Sequence, residues 1–122
     1  MAGAAFHTEV LPVEGMPEAG AVRLAGTVTY HEAPAVRLAL LDAVGKHAGS
    51  KLVLQLGGID RIDTAGAAVL AEAFKAGRDR GLHVLLCSPS RAVTDTFRLA
   101  GFDTVLDHCC ASPDETRSRL QG

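Results

Sequence analysis

The sequence predicts an α/β domain built on a mostly parallel sheet. Short apolar runs at 51–56 and 82–87 are each followed by a stretch whose apolar residues recur every three or four positions, the period of one helix face. An alternating run at 21–28 precedes them. Strands that take turns with helices in this way close into parallel pairs joined by crossovers. The chain has 122 residues, near the commonest size of one domain. No linker, repeat or low-complexity tract interrupts it, so a single domain over 1–122 is expected, with its core over about 6–107.

Each element has its own signal. In "AVRLAGTV", 21–28, Val22, Leu24 and Val28 fall on one side and Arg23 and Thr27 on the other, the pattern of a half-buried strand. Residues 6–11 are read as its hairpin partner, with the turn in "EGMPEAG", which holds two glycines and a proline. From Ala33 to His47, Val36, Leu40, Ala43 and Val44 form an amphipathic stripe that ends near Gly49. "KLVLQL", 51–56, is a central strand, and Gly57-Gly58 are expected to turn a tight loop that Ile59 and Ile62 anchor to the core. From Thr64 to Arg80 a second helix places Leu70, Ala73, Phe74 and Gly77 inward and Glu72, Lys75, Arg78 and Asp79 outward, and Gly81 stops it. After the strand "LHVLLC", 82–87, Ser88-Pro89 opens a third helix with Val93, Phe97 and Ala100 as its buried stripe. Gly101 followed by Phe102 is a left-handed stop with its apolar contact. Thr104–Leu106 is expected to add a last short strand, and the segment 111–122 to be a frayed tail or a short helix.

Composition narrows the function. With 48% hydrophobic and 21% charged residues and a net charge of -2, the chain lacks the basic excess that displaces counterions from nucleic acid, so no nucleic-acid partner is expected. Its apolar runs are far shorter than the ~20 residues of a membrane-crossing helix, so no direct membrane insertion is expected. "MAGAAFHTEV" has no basic residue ahead of its apolar stretch and meets Glu9 at once, unlike a secretory signal. Three cysteines, Cys87, Cys109 and Cys110, are an odd number with two adjacent, which suits a reducing compartment, and a cytoplasmic location is expected.

The junction "IDRIDTAGAAVLAEAF", 59–74, puts an acid, a hydroxyl and a glycine where a strand hands over to a helix. Asp63 stands at the N-cap position, where its carboxylate can accept from the amides of Ala65 or Gly66 and its charge suits the positive helix end. Thr64 places a hydroxyl in the first turn, where an added phosphate would meet free amides and change the local charge by about -2. Asp60, Arg61 and Asp63, with Thr29, Tyr30 and His31, fall at one end of the sheet if these strands are parallel. That is the end at which open α/β folds bind ligands, and equally a place for a solvated loop edge. Tyr30, the single tyrosine, is an interface anchor by type.

The run from Lys51 to Leu106, "KLVLQLGGIDRIDTAGAAVLAEAFKAGRDRGLHVLLCSPSRAVTDTFRLAGFDTVL", resembles the STAS domain. That is the fold of bacterial anti-sigma factor antagonists, of a domain on sulfate transporters and of a small subunit of lipid-asymmetry ABC transporters. The pattern is strand, short loop, acid-hydroxyl-small-glycine, amphipathic helix, glycine, apolar strand, then a helix ending in Leu-x-Gly-Phe. With "LAGTV" at 24–28 as the earlier glycine-bearing strand, it covers about residues 21–106. The resemblance implies a mixed sheet of about five strands, an N-terminal hairpin followed by β-α alternation, with helices packed on it. Antagonists switched by a kinase typically read Asp-Ser-Ser-Gly, with the second serine taking the phosphate. Here Ala65 holds that place and Thr64 carries the hydroxyl, while Thr29 stands where the family often has an acid after the second strand. Thr64 is accordingly the phosphorylation candidate if the chain is of the stressosome kind, and a contact residue if it is of the transporter kind.

Other constellations carry less. Gly57-Gly58 is followed by no Gly-Lys-Ser/Thr, and G-x-G-x-x-G is absent, so nucleotide hydrolysis has no support. His108-Cys109-Cys110 lacks a second spaced ligand pair, so no metal is expected. The histidines show no paired helical spacing, and no nucleophile has a base assigned by spacing, so no catalytic residue and no cofactor are expected. The implied function is a non-enzymatic, anti-sigma factor antagonist-like interaction domain that docks a protein through Asp60, Arg61, Asp63, Thr64, Ala65, Tyr30, His31 and the second helix. The partner is an anti-sigma factor or serine kinase-like ATPase. The alternatives are an accessory subunit that binds the ATPase of a phospholipid ABC transporter and, in another class, a domain binding a small molecule at the same corner.

Overall fold

Gly15 adopts φ +78°, a left-handed conformation that glycine enters without steric cost, and the chain reverses there into a hairpin. In the computed structural model, which describes residues 5–121, β1 (Phe6–Val13) pairs antiparallel with β2 (Met16–Val28). The second strand starts earlier than its alternation suggests, because Met16 and Ala19 are buried on the sheet, and of "EGMPEAG" only Glu14 and Gly15 form the turn.

Helix α1 (Ala33–Lys46) buries Ala33, Val36, Leu40 and Val44, while Ala43 of the predicted stripe is half-buried. Its entry is held by a reciprocal device. Glu32 accepts from the Thr29 amide at 2.9 Å and from the Thr29 hydroxyl at 2.6 Å, while the Thr29 carbonyl accepts from Ala33 N–H at 2.9 Å. This is the back-bonding half of a capping box, Thr29-x-x-Glu32.

Strand β3 (Lys51–Ile62) runs parallel to β2 and to β4 (His83–Cys87). It continues through Gly57-Gly58, which correct the expectation of a tight loop there. A Cβ on Gly58 would lie 2.7 Å from the Ala25 Cβ, so the glycine permits close strand approach. The β2–β3 register slips beside it, between Arg23 and Ala25 and again between Gly26 and Thr27. Bulged pairing of this kind extends a strand where glycine would otherwise signal a turn.

Helix α2 (Thr64–Asp79) has the expected inner face, and Gly81 follows it at φ +84°. Helix α3 (Arg91–Leu99) starts later than Ser88-Pro89. Its cap is Ser90, whose hydroxyl accepts from Val93 N–H at 3.3 Å, and Ala100 is only half-buried. The stop is as predicted. Gly101 sits at φ +81°, Phe102 N–H donates to Phe97 O at 2.8 Å, Gly101 N–H to Arg98 O at 3.1 Å, and the Phe97 and Phe102 rings meet edge to face. These two bonds are the Schellman closure.

The expected strand at Thr104–Leu106 is instead a single helical turn, α4 (Asp103–Leu106), and the last strand is β5 (Cys109–Cys110), parallel to β4. A three-residue run such as Thr104-Val105-Leu106 carries no period that separates strand from helix. The pairing of Leu86 with Cys109 and of Cys87 with Cys110 decides the matter from outside the segment. The tail forms helix α5 (Pro113–Gln121), the short-helix alternative.

The sheet order is β1-β2-β3-β4-β5, and its two faces carry separate cores. Val22, Leu24, Leu52, Leu54, Leu56, Val84 and Leu86 pack under α1 to α4 with Leu40, Leu70 and Phe97. Ala21, Val53, Leu85, Cys87 and Cys110 face the other way and are covered by Leu120 of α5. Burying a leucine contributes ~1.5–3 kcal/mol. Helix α5 buries only Thr116 and Leu120, against seven residues of α2, so it is the more weakly held of the two. Arg119 strengthens it by donating to the carbonyls of Cys109 and Asp107 at 3.1 and 3.0 Å.

Candidate functional site

Parallel pairing of β2 and β3 persists to Val28 opposite Ile62, so the chain leaves both strands side by side. Thr29-Tyr30 follows one strand and Asp63-Thr64 the other. Asp63 is in extended conformation and its two oxygens are divided between these segments. Oδ1 accepts from Gly66 N–H at 3.0 Å, and Oδ2 accepts from Tyr30 N–H at 2.8 Å. The residue is therefore the helix cap that local sequence implies and also a tether across 33 residues of chain. Partial burial pushes its carboxyl upward, but the amides of Gly66, Tyr30 and Ala65 outweigh that and hold it below the ordinary aspartate value.

Gly66 is needed by space rather than by backbone angle. A Cβ there would lie 2.0 Å from the Val28 carbonyl oxygen, so the start of α2 rests directly on the end of β2. Thr64, in the first helical turn, is exposed, whereas Ala65 is half-buried and packs on the main core. Tyr30, 71% exposed, meets the His31 ring edge-on at 5.3 Å. Asp60 and Arg61 are exposed on β3, not on a loop, with Arg61 opposite Thr27. Among the described residues neither makes a side-chain hydrogen bond or ion pair. The structure thus ties Tyr30, Asp63 and the Thr64 turn into one corner and leaves Asp60 and Arg61 beside it.

Sequence reasoning missed the neighbouring surface. Tyr30, Ala33, Pro34, Arg37, Leu38 and Val69 line a shallow hollow of about 520 Å³, in which Leu38 is 69% exposed. Arg37, one of its lining residues, joins α1 to α2 through a forked pair with Glu72, Nε to Oε1 at 2.8 Å and the guanidinium terminus to Oε2 at 2.8 Å. Pairing across two helices leaves no mark at a fixed spacing; the Thr29-x-x-Glu32 spacing is a signal that could have pointed to the ordered entry of α1.

His108-Cys109-Cys110 is structural. Adjacent residues of a strand point to opposite faces, and Cys109 and Cys110 belong to different cores. Burial pushes the Cys109 thiol up to about 11, and it donates to Val105 O at 3.7 Å. His108 Nε2 lies 2.9 Å from the Arg78 guanidinium, which can only donate, so the ring nitrogen accepts. Burial, then Arg78 and Arg119, hold His108 below the ordinary imidazole value. Among the described residues no cluster of three His, Cys, Asp or Glu could hold a metal ion, and no helix is long and apolar enough to cross a membrane.

These shifts set a pH dependence. His108, Glu32 and Asp63 all titrate lower in the folded chain than in the unfolded one, Glu32 because Thr29 donates to it from hydroxyl and amide. A depressed value means that the unfolded state binds the proton first, so stability is full above the unfolded values and is lost as pH falls. Urea midpoints are expected to drop in two stages, below about pH 6.5 with His108 and below about pH 4.5 with the carboxylates. The second stage should shrink in Asp63→Asn; an unchanged profile would show that Asp63 is not held as described.

Residues 11–116 match the family model of the STAS domain. The chain belongs to the STAS domain family. Among solved structures it is similar to the anti-sigma factor antagonist SpoIIAA in its unphosphorylated form, with 19% identity, TM-score 0.68 and 97% of each chain covered. The phosphorylated form of Bacillus SpoIIAA gives 18% identity and TM-score 0.65, with 95% of this chain and 99% of that one covered. An anti-sigma factor antagonist from Mycobacterium paratuberculosis gives 18%, 0.78, and 96% and 95%. The murine Slc26a9 anion transporter gives 14% and 0.70 over 95% of this chain but 22% of its own. At these identities the likeness is one of fold: a five-stranded mixed sheet with packed helices, shared by the anti-sigma factor antagonists and by part of a larger transporter.

Proposed function

We propose that this STAS domain is a cytoplasmic, non-enzymatic regulatory module that docks a protein partner on the Asp63-Thr64 corner, the Tyr30 loop and the exposed face of α2. The observation that carries the reading is the division of the Asp63 carboxylate between Gly66 N–H and Tyr30 N–H, which makes two chain segments one surface with the exposed Thr64 in it. Tyr30 and Leu38 supply apolar anchors beside it, and Asp60, Arg61 and His31 supply a polar rim. Phosphorylation of Thr64 is the control this geometry favours. It adds about -1.5 to -2 charge next to the Asp63 carboxylate and competes for the same amides, changing the docking surface without entering the core.

Ala65 stands where a second hydroxyl would be, which favours the second reading, docking to the ATPase subunit of a phospholipid ABC transporter with Thr64 as an unmodified contact. Affinity capture from the host lysate with mass spectrometry separates the two. A histidine-kinase-like ATPase or sigma-regulatory protein, with phosphate mapped to Thr64, supports switching; an ABC ATPase with its membrane subunits supports the transporter reading. With either partner in hand, Thr64→Glu should alter affinity about tenfold or more while melting stays within ~0.5 kcal/mol of wild type. If Thr64→Glu and Thr64→Ala both bind like wild type, the corner is a helix cap and nothing more.

A further inference from the structure

Strand β1 forms one edge of the sheet, and no other described strand lies beyond it. The Thr27 amide donates to the Ala5 carbonyl at 2.8 Å. In an antiparallel ladder that bond sets the phase: Ala5, His7, Glu9 and Leu11 turn their main-chain groups toward β2, and Phe6, Thr8 and Val10 turn theirs outward. Val10 is 70% exposed and forms part of a cleft of about 470 Å³ between β1, β2 and α1. An open edge with unused donors and acceptors is a template for another strand.

We propose that β1 pairs antiparallel with β1 of a second copy of this chain, about a two-fold axis through Thr8, giving one continuous ten-stranded sheet. The occupant follows from the strand's self-complementarity. Outward-turned residues must meet outward-turned residues, which leaves a small set of registers. Centring on Thr8 sets Phe6 opposite Val10, His7 opposite Glu9 and Ala5 opposite Leu11, each pair occurring twice by symmetry. An imidazole N–H then faces a carboxylate on one side of the sheet, and two apolar side chains meet on the other. Sliding so that Glu9 is the centre sets Glu9 against Glu9, and it places Pro12, which has no N–H, opposite Phe6. Sliding the other way sets His7 against His7 and loses the match of Phe6 with Val10. In the Thr8-centred register Pro12 lies outside the three outward-bonding residues, where it ends the seam. The second copy's Phe6 covers Val10 at the mouth of the cleft.

Sedimentation equilibrium of the full chain tests this. A concentration-dependent dimer is expected for the wild type. Thr8→Pro removes an outward N–H that β2 does not use and should leave a folded monomer by thermal melting. Glu9→Lys, an exposed change, should raise the dissociation constant about tenfold, since it alters both symmetric pairs. His7→Glu together with Glu9→Lys should restore it. A wild type that stays monomeric to about 1 mM overturns the proposal. So does a dimer that Glu9→Lys leaves untouched, which also decides the matter if Thr8→Pro does not fold.

Discussion

Gly66→Ala is expected to lower stability by about 3 kcal/mol, the upper part of the usual range for forcing atoms into a packed site. The clash is with main chain: the new Cβ would meet the Val28 carbonyl oxygen at 2.0 Å, the carbonyl carbon at 3.0 Å and the Val28 side chain at 3.0 Å. A flexible neighbour could swing aside, but here the end of β2 or the start of α2 must move. Val28 is fully buried and Ala67 and Leu70 pack in the same core, so the movement also disturbs side-chain packing. Urea unfolding measures the loss. A change below about 0.5 kcal/mol would mean that α2 and β2 are not in this contact. Because the same displacement pulls Asp63 away from Tyr30, partner affinity should fall with stability.

Asp63→Ala is expected to cost about 2–3 kcal/mol. Loss of an N-cap side chain accounts for about 1 kcal/mol. Loss of a charge-assisted bond to the Tyr30 amide accounts for about 1.5–3 kcal/mol, less whatever water restores at this half-exposed site. Asp63→Asn keeps an oxygen for the Gly66 amide, and asparagine caps as well as aspartate, so its cost should be nearer 1 kcal/mol. Amide exchange adds a local readout: in Asp63→Ala both Tyr30 and Gly66 N–H should exchange faster relative to the core strands. Acceleration at Gly66 alone would leave the cap intact as an idea and remove the tether. The tether also separates destabilisation from docking, since Asp63→Asn should bind a partner better than Asp63→Ala does even after correction for folded fraction.

The candidate site was half legible. Asp63 as a cap and Thr64 as a hydroxyl in the first helical turn follow from adjacent residues of one junction, whereas the need for glycine at 66 comes from the Val28 carbonyl, on another strand. The bond from Tyr30 N–H to Asp63 depends on the parallel register of β2 and β3, which nothing within either segment states. The hollow under Leu38 and Val69 and the Arg37–Glu72 pair depend likewise on how α1 lies against α2.

By itself the sequence determined what is settled within a few residues. The apolar period of α1 and α2, the left-handed stop at Gly101 and the alternation of β2 are local, because dihedral preference, capping and amphipathic spacing act over one or two turns. Tertiary structure alone decided the rest. β3 runs on through Gly57-Gly58 because Ala25 lies against it, Cys109–Cys110 is a strand because Leu86 and Cys87 pair with it, and α5 holds because Leu120 finds a second core on the far face of the sheet. In each case the deciding atoms come from a distant stretch of chain. A short segment of ambiguous propensity takes the conformation that satisfies its main-chain bonds and buries its apolar atoms against that partner.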